Sequence, residues 1–172
     1  ERIYMSDILA ILKKVGAVIT ASHFVYTSGK HGSVYINKDT LYPHTRLASR
    51  VGKMMAEKYQ HRSIDVVAGP ALGGIILSQW TAFYLSRLKG KNILGVYTEK
   101  DDQEHQIFRR GYDQLAKNKK VLVVEDLTTT GGSVAQVVTS VKAAGGSVVG
   151  VCVMVNRDPG ITAATIGAPF TS

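Results

Sequence analysis

The sequence predicts an α/β fold with a central parallel sheet and helices on both faces. From residue 45 onward, short runs rich in Val, Ile and Leu alternate with stretches of helical periodicity. Strands that are apolar throughout are typical of parallel sheets buried on both faces. A length of 172 residues, with 45% hydrophobic and 20% charged residues, fits one domain with one core.

The N-terminal part predicts a helix followed by a loop-rich region with short strands. Ser6 is placed to cap a helix over residues 7–15, and Gly16 stands just past its end. The loop-rich region ends in a short strand at residues 34–37, before a helix over residues 45–59. The apolar face of the first helix is expected to contain Ile8, Leu9, Ile11, Leu12 and Val15.

The remaining elements alternate as a parallel sheet requires. Strands are expected at residues 64–68, 93–97, 120–124 and 147–155, and helices at residues 74–88 and 134–144. Ligands of such sheets bind beyond the carboxyl ends of the strands. The segments that follow the strands are therefore the candidate functional site.

Composition excludes several classes of protein. A disordered tail, a collagen-like fibre and a coiled coil do not fit these proportions. Cys152 is the only cysteine, which excludes an internal disulfide and a Cys-based zinc site and favours a cytoplasmic location. No apolar run approaches the roughly 20 residues of a membrane span, and the first residues do not resemble a signal peptide. The start at Glu1 instead of Met leaves open a truncation of this single domain, residues 1–172, at its N-terminus.

The net charge of +8 is unevenly distributed. Residues 1–98 carry 13 basic and 5 acidic side chains, whereas residues 99–172 carry 8 of each. A basic half predicts a phosphorylated small molecule or nucleic acid as a partner, with a solvated basic surface as the alternative. The chain has no Arg-rich run and no alternation of aromatic and basic residues, so nucleic acid is not expected.

The most informative stretch is VLVVEDLTTTGGS at residues 121–133. Its turn can direct backbone N–H groups and a helix N-terminus at one phosphate. Glu125 and Asp126 would repel that phosphate, so they fit ribose hydroxyls or a metal-bound sugar. The stretch therefore predicts a site for a ribose 5-phosphate, and it lacks the patterns of a Walker A loop and of a dinucleotide turn. The expected phosphate-binding residues are Thr128, Thr129, Thr130, Gly131, Gly132 and Ser133.

This stretch resembles the phosphoribosyl-pyrophosphate (PRPP) signature of type I phosphoribosyltransferases. Three further segments resemble the orotate branch of that family: TSGKHGSVYIN at 27–37, VVAGPALGGI at 66–75 and NRDPG at 156–160. The resemblance implies the fold of that family, with a small N-terminal hood region. It also implies transfer of the phosphoribosyl group from PRPP to orotate in pyrimidine biosynthesis, giving orotidine 5′-monophosphate and pyrophosphate.

The resemblance assigns a role to each segment. It implies that Glu125 and Asp126 hold the ribose, and that Arg157 and Thr129 contact orotate. It implies Mg²⁺ as cofactor, bound mainly through PRPP, with the two acids as further candidate ligands. It implies a homodimer with shared active sites and no membrane. The residues expected to bind pyrophosphate are Ala71, Leu72, Gly73 and Gly74, in a loop with an unusual cis peptide, together with Lys30.

A long polar segment at residues 98–111 corresponds to the loop that closes over the active site in the orotate family. Lys100 and His105 match the loop pattern, and with Asp126 they are the expected catalytic residues. The catalytic lysine of the family is replaced by Gln103. Three other positions also differ, with Thr27, Glu99 and Gln106 where the family has Lys, Arg and Gly, and the candidate substitute cations are Arg109, Arg110 and Lys30.

Three functions remain open from the sequence. The first is the orotate transferase. The second is a purine phosphoribosyltransferase, because the PRPP signature does not select the base. The third is a PRPP-binding regulatory protein with little or no catalysis, which Thr27 and Gln103 favour.

Overall fold

The structure is a computed structural model that describes residues 2–20, 23–25 and 31–172. The chain divides into two compact units, one up to Ala48 and one from Ser49 to Ser172. Within the described ranges, no helix is long and apolar enough to cross a membrane.

The first unit contains one helix and two small antiparallel ladders. Helix α1 (Arg2–Lys14) ends at Gly16, whose φ of +69° lies in the left-handed region that glycine tolerates. The short strands are β1 (Val18–Ile19), β2 (Phe24–Val25), β3 (His31–Gly32) and β4 (Tyr35–Ile36). Strand β1 pairs with β4, and β2 pairs with β3. A 3₁₀ helix follows at Lys38–Thr40.

Two expectations for α1 are wrong. The helix begins at Arg2, so Ser6 lies inside it instead of capping it. Leu9 is 43% exposed, whereas Ile8, Ile11 and Leu12 are buried as expected. Val15 lies just past the end of the helix and is half-buried, so helical periodicity identified the buried face but placed two residues too many on it.

The second unit is built on a six-stranded sheet. Its order is β10-β9-β8-β5-β6-β7, and all neighbouring strands are parallel except β6 and β7. The predicted α/β fold with a parallel sheet is therefore confirmed, with one antiparallel edge strand added. The strands are β5 (Val66–Pro70), β6 (Leu94–Lys100), β7 (Gln106–Phe108), β8 (Lys120–Thr128), β9 (Ser147–Asn156) and β10 (Phe170–Thr171).

Helices cover both faces of this sheet. Val66 and Val96 share one apolar cluster with Val137 of α5. Gly95 alternates with Val96 along β6 and faces α3, where the side-chain N–H of Gln79 donates to the Gly95 carbonyl at 2.9 Å. The helices are α2 (Thr45–Lys58), α3 (Gly73–Lys89), α4 (Tyr112–Ala116), α5 (Gly132–Ala143) and α6 (Ala163–Ile166).

Candidate active site at the carboxyl ends of the strands

The loops that follow the central strands meet at one edge of the sheet. The end of β5 lies beside Thr98 of β6, and Thr128 of β8 lies beside Asn156 of β9. The N–H of Ala71 donates to the carbonyl of Thr98 at 2.9 Å, and the N–H of Arg157 donates to that of Thr128 at 3.0 Å. The residues expected after the strands are thus brought together at the carboxyl edge.

Two buried acids lie near the end of β8. Glu125 is 7% exposed and Asp126 is 2% exposed. Oε1 of Glu125 accepts the N–H of Asp126 at 2.9 Å, and Oδ1 of Asp126 accepts the N–H of Leu127 at 2.6 Å. Because buried carboxylates are costly without polar partners, these bonds both stabilise and orient the pair. The pair therefore presents fixed acceptors that suit hydroxyl groups or a cation.

Strand β8 is longer than the sequence predicted. The apolar run ends at Val124, but the pairing with β9 continues through Leu127 and Thr128. The two acids consequently lie within a paired strand instead of after it. Since the ladder fixes their backbone, a ligand would meet them already in position.

Residues 128–133 form a tight turn between β8 and α5. Oγ1 of Thr128 accepts the N–H of Gly131 at 3.0 Å, and Oγ1 of Thr130 accepts the N–H of Gly132 at 3.3 Å. Gly131 has a φ of +79°, which its lack of a Cβ permits. Helix α5 begins at Gly132, and the first amides of a helix, such as that of Ser133, have no intrahelical acceptor. The turn offers donors to a phosphate, although two of its amides already bind threonine hydroxyls.

The loop between β5 and α3 is compact. A Cβ on Gly69 would lie only 2.5 Å from the carbonyl oxygen of Gly74, so the backbone crosses itself closely there. The peptide between Ala71 and Leu72 is cis, as the resemblance implied. Helix α3 begins at Gly73, so its first amides lie at the carboxyl edge and can bind an anion.

Arg157 stands at the start of the turn after β9. Oδ1 of Asn156 accepts the N–H of Asp158 at 3.1 Å, and Oδ1 of Asp158 accepts the N–H of Gly160 at 2.8 Å. These bonds, with the one to Thr128, place the half-buried arginine beside the turn that follows β8. A guanidinium can bind a carboxylate through two parallel hydrogen bonds, which suits an acidic base such as orotate.

Residues 94–108 form a β-hairpin, and the predicted long loop is wrong. Strand β6 continues to Lys100, which lies opposite Gln106 of β7. At the tip, Oδ1 of Asp101 accepts the N–H of His105 at 2.9 Å and that of Gln103 at 2.8 Å. These bonds, chiefly the one from His105, lower the pKa of Asp101. The polar composition concealed the strands, because β7 is the edge strand of the sheet and the last residues of β6 pair only with it.

The two expected cations of the hairpin are paired with acids. Lys100 forms an ion pair with Glu104, and Nδ1 of His105 lies 3.4 Å from Oδ2 of Asp101. Lys100 is 54% exposed and His105 is 58% exposed. Exposed pairs contribute little to stability. A ligand phosphate can therefore compete with either acid at little cost.

The fold and this edge of the sheet match a known family. Residues 37–164 fit the family described as "Phosphoribosyl transferase domain". The chain belongs to the phosphoribosyltransferase family. It is 38% identical over 165 residues to the orotate phosphoribosyltransferase of Caldanaerobacter subterraneus subsp. tengcongensis, with 96% of this chain and 81% of that protein covered.

Solved structures of phosphoribosyltransferases agree with the fold. The Mycobacterium tuberculosis H37Rv orotate phosphoribosyltransferase in complex with Fe(III) dicitrate has a TM-score of 0.73 at 25% identity, covering 95% of this chain and 93% of that one. The orotate phosphoribosyltransferase of Aeropyrum pernix has a TM-score of 0.70 at 27% identity, covering 95% and 90%. The recognition of a type I phosphoribosyltransferase from sequence is thus confirmed.

Arg110, one of the candidate substitutes for the missing loop lysine, is paired with groups of the hairpin stem in this phosphoribosyltransferase. Nη1 of Arg110 lies 3.0 Å from Oε2 of Glu99, and Nη2 donates to Oε1 at 3.1 Å. Nε donates to the Tyr97 hydroxyl at 3.1 Å, so the charge of Arg110 is already paired. Thr27 and Lys30 lie outside the described residues.

Arg109 is also distant from the hairpin tip. Strand β7 runs away from the carboxyl edge, and its last residue, Phe108, lies opposite Thr98. Arg109 follows Phe108 and therefore lies farther from the tip than Thr98 does. Gln103, which stands where the resemblance implies a lysine, lies at the exposed tip.

No role was expected from the sequence for the residues that join the hairpin to α5. The N–H of Gln106 donates to Oε1 of Gln136 at 2.9 Å, and the Ser140 hydroxyl donates to the carbonyl of Gln106. Oε1 of Gln106 accepts the hydroxyl of Thr98 at 2.7 Å. Gln136 and Ser140 stand one helical turn apart and therefore lie on the same face of α5. This spacing of two polar residues is the one feature of the sequence that indicates a shared contact.

Proposed function

We propose that the chain transfers the phosphoribosyl group of PRPP to orotate, giving orotidine 5′-monophosphate and pyrophosphate. One observation carries the proposal: the buried pair Glu125 and Asp126 is followed directly by a hydroxyl-rich turn and the N-terminus of α5. Carboxylates accept hydroxyl hydrogens, and the turn donates to phosphate, so the two parts fit a ribose 5-phosphate. Relatives at 32–38% identity are named orotate phosphoribosyltransferases, which supports orotate as the acceptor.

Each part of the two substrates has a proposed partner at the carboxyl edge. The turn at residues 128–133 binds the 5-phosphate, and the two carboxylates accept the ribose hydroxyls. The amides of residues 71–74 bind the pyrophosphate, together with Lys100 and Lys30. Arg157 orients the carboxylate of orotate, and Thr129 contacts the base.

The proposed reaction exchanges one bond at C1 of the ribose. The bond from C1 to the pyrophosphate oxygen breaks, and C1 bonds to a ring nitrogen of orotate, which loses its proton. Positive charge develops on the ribose, near Glu125 and Asp126. Negative charge develops on the pyrophosphate, near the loop amides and Lys100, where His105 assists. Fixed groups of opposite sign at both places would lower the barrier.

Mg²⁺ fits this donor set as an ion that enters with PRPP. Mg²⁺ in proteins typically binds one or two carboxylates, several waters and substrate phosphates. Glu125 and Asp126 supply carboxylates beside the proposed ribose position. Among the described residues, no three His, Cys, Asp or Glu side chains are grouped to hold a metal. When bound, Mg²⁺ would neutralise charge on the pyrophosphate.

We propose that Gln103, in place of a lysine, weakens the stabilisation of the negative charge that develops on the departing pyrophosphate. A preorganised group at such a position typically contributes about 3–4 kcal/mol, or about 10²- to 10³-fold in rate. Lys100 and His105 are both engaged by acids of the hairpin. This observation favours a second candidate function, a PRPP-binding regulatory protein with little or no catalysis. PRPP binding is common to both candidates, and turnover separates them.

The homodimer with shared sites, the cytoplasmic location and a single phosphoribosyltransferase domain remain parts of this proposal. Sharing can be tested by mixing Lys100→Ala chains with Asp126→Asn chains. If a hairpin serves the neighbouring subunit, the mixture regains activity that neither variant has alone. If each site uses its own hairpin, the mixture stays as inactive as its components, and the sharing is wrong.

Product formation across a set of bases tests the proposed function. PRPP and Mg²⁺ are incubated with orotate, uracil, adenine, guanine or hypoxanthine, and products are identified by mass spectrometry. Orotidine 5′-monophosphate as the main product supports the proposal. A purine nucleotide instead would assign the chain to the purine branch. PRPP binding without any product would favour the regulatory protein.

A further inference from the structure

We propose that Gln136 and Ser140 of α5 are positioning residues that fix the hairpin at Gln106 and thereby hold Lys100 and His105 at the carboxyl edge. The inference rests on the proposed function, because it takes PRPP as the ligand of that edge. Gln106 is only 3% exposed, and its main-chain N–H and carbonyl are the groups that bond to the two side chains of α5.

The hydrogen bonds of Gln106 close the outer edge of the sheet. Strand β7 is the last in the sheet order, so no further strand pairs with its outer side. Its main-chain groups at Gln106 instead bind the side chains of Gln136 and Ser140 on α5. The side chain of Gln106 binds Thr98 on the neighbouring strand β6. One residue thus ties both strands of the hairpin to a single helix.

The stem of the hairpin also makes contacts that do not involve α5. Arg110 joins Glu99 to the Tyr97 hydroxyl, and its guanidinium lies 5.8 Å from the centre of the Tyr97 ring. The ring of Tyr97 packs edge-to-face on Tyr112 of α4 at 5.2 Å. The stem of the hairpin thus has contacts to α4 in addition to those with α5.

Helix α5 links this attachment to the phosphate turn. Its first residue, Gly132, belongs to the turn, and Gln136 follows one helical turn later. The distance between the bound 5-phosphate and the base of the hairpin is therefore set within one rigid element. Lys100, directly opposite Gln106, is held ready for the pyrophosphate instead of being ordered only when PRPP binds.

PRPP affinity in single and combined variants tests the positioning role. By calorimetry with Mg²⁺, Gln136→Ala should raise the dissociation constant of PRPP about fivefold, the equivalent of one net hydrogen bond. In a background with both Lys100→Ala and His105→Ala the same change should have almost no effect, because neither of the positioned side chains remains. An equal loss in both backgrounds would mean a merely structural role and would overturn the inference.

Matched variants separate positioning from general loosening. Ser140→Ala removes the bond to the Gln106 carbonyl, whereas Thr139→Ala removes a hydroxyl that binds Ala135 within the same helix. Only Ser140→Ala should weaken PRPP binding. Equal effects of the two would contradict the inference.

Hydrogen exchange supplies a readout that does not depend on PRPP or orotate. The amides of residues 99–108 should exchange several-fold faster in Gln136→Ala than in Thr139→Ala, which removes only a hydroxyl bonded within α5. Unchanged exchange in Gln136→Ala would overturn the attachment itself. Absence of orotate turnover would overturn only the proposed function, since neither calorimetry nor exchange requires the reaction.

Discussion

Replacing Asp126 with Asn isolates the proposed contact with the ribose. In the structure, Oδ1 of Asp126 accepts the N–H of Leu127 at 2.6 Å. Asp and Asn have the same shape, so Oδ1 of the asparagine can still accept this N–H. The second carboxylate oxygen becomes an NH₂ group, which donates instead of accepting. A ribose hydroxyl that donates to this oxygen would lose its acceptor, and the site would lose one negative charge.

The expected loss follows from the hydrogen bond that disappears. Hydrogen bonds to charged groups contribute about 1.5–3 kcal/mol. The dissociation constant of PRPP should therefore rise about 10- to 150-fold in Asp126→Asn, as measured by calorimetry with Mg²⁺.

Asp65→Asn provides the matched control. Asp65 precedes β5 and lies at the opposite edge of the sheet, where Oδ2 accepts the N–H of Lys120 at 3.0 Å and Oδ1 binds Lys91 at 2.9 Å. This change should leave PRPP binding intact. Unchanged PRPP affinity in Asp126→Asn, or an equal loss in both variants, would refute the assignment of the acids to the ribose.

Four further outcomes are expected. Arg157→Ala should raise KM for orotate about 10-fold or more while PRPP affinity, measured without orotate, stays unchanged. Gly74→Ala places a Cβ 2.8 Å from a backbone carbon, so its melting temperature should fall by about 5–10 °C, whereas Gly95→Ala meets mainly a flexible side-chain amide and should lose less. The ion pair and backbone bond lower the pKa of Asp65 below 3.8, so the stabilisation is complete above that pH and is lost as the pH falls through the lowered value. The melting-temperature difference between wild type and Asp65→Asn should consequently shrink below about pH 4. Gln103→Lys restores a cation at the tip and should raise orotate turnover up to about 100-fold in steady-state assays. No gain would mean that leaving-group charge does not limit the rate.

The parallel sheet could be predicted because its central strands are buried on both faces. β5 and residues 121–124 of β8 are apolar at every position, and such runs have few alternative structures. The turn at residues 128–133 could be predicted equally well, since glycine and hydroxyl residues directly before a helix are typical of a turn that binds phosphate. The long PRPP signature then supplied the family.

The hairpin could not be predicted, because its second strand is the edge strand of the sheet and both strands carry polar residues for tertiary reasons. Gln106 is buried only because Gln136 and Ser140 lie across from it, and these contacts join residues 30 and 34 positions apart. Likewise Glu125 and Asp126 extend β8 through pairing with β9, which local sequence does not encode. The pairing of Glu99 with Arg110 depends on the same strand register.

The most direct test of the account is release of pyrophosphate from PRPP and Mg²⁺, measured with orotate and without it. We expect release that depends on orotate, that saturates with PRPP and that Asp126→Asn strongly reduces. Such a result would establish the transferase and assign the acid pair to it. Saturable PRPP binding with no release, whether or not orotate is added, would contradict the proposed reaction.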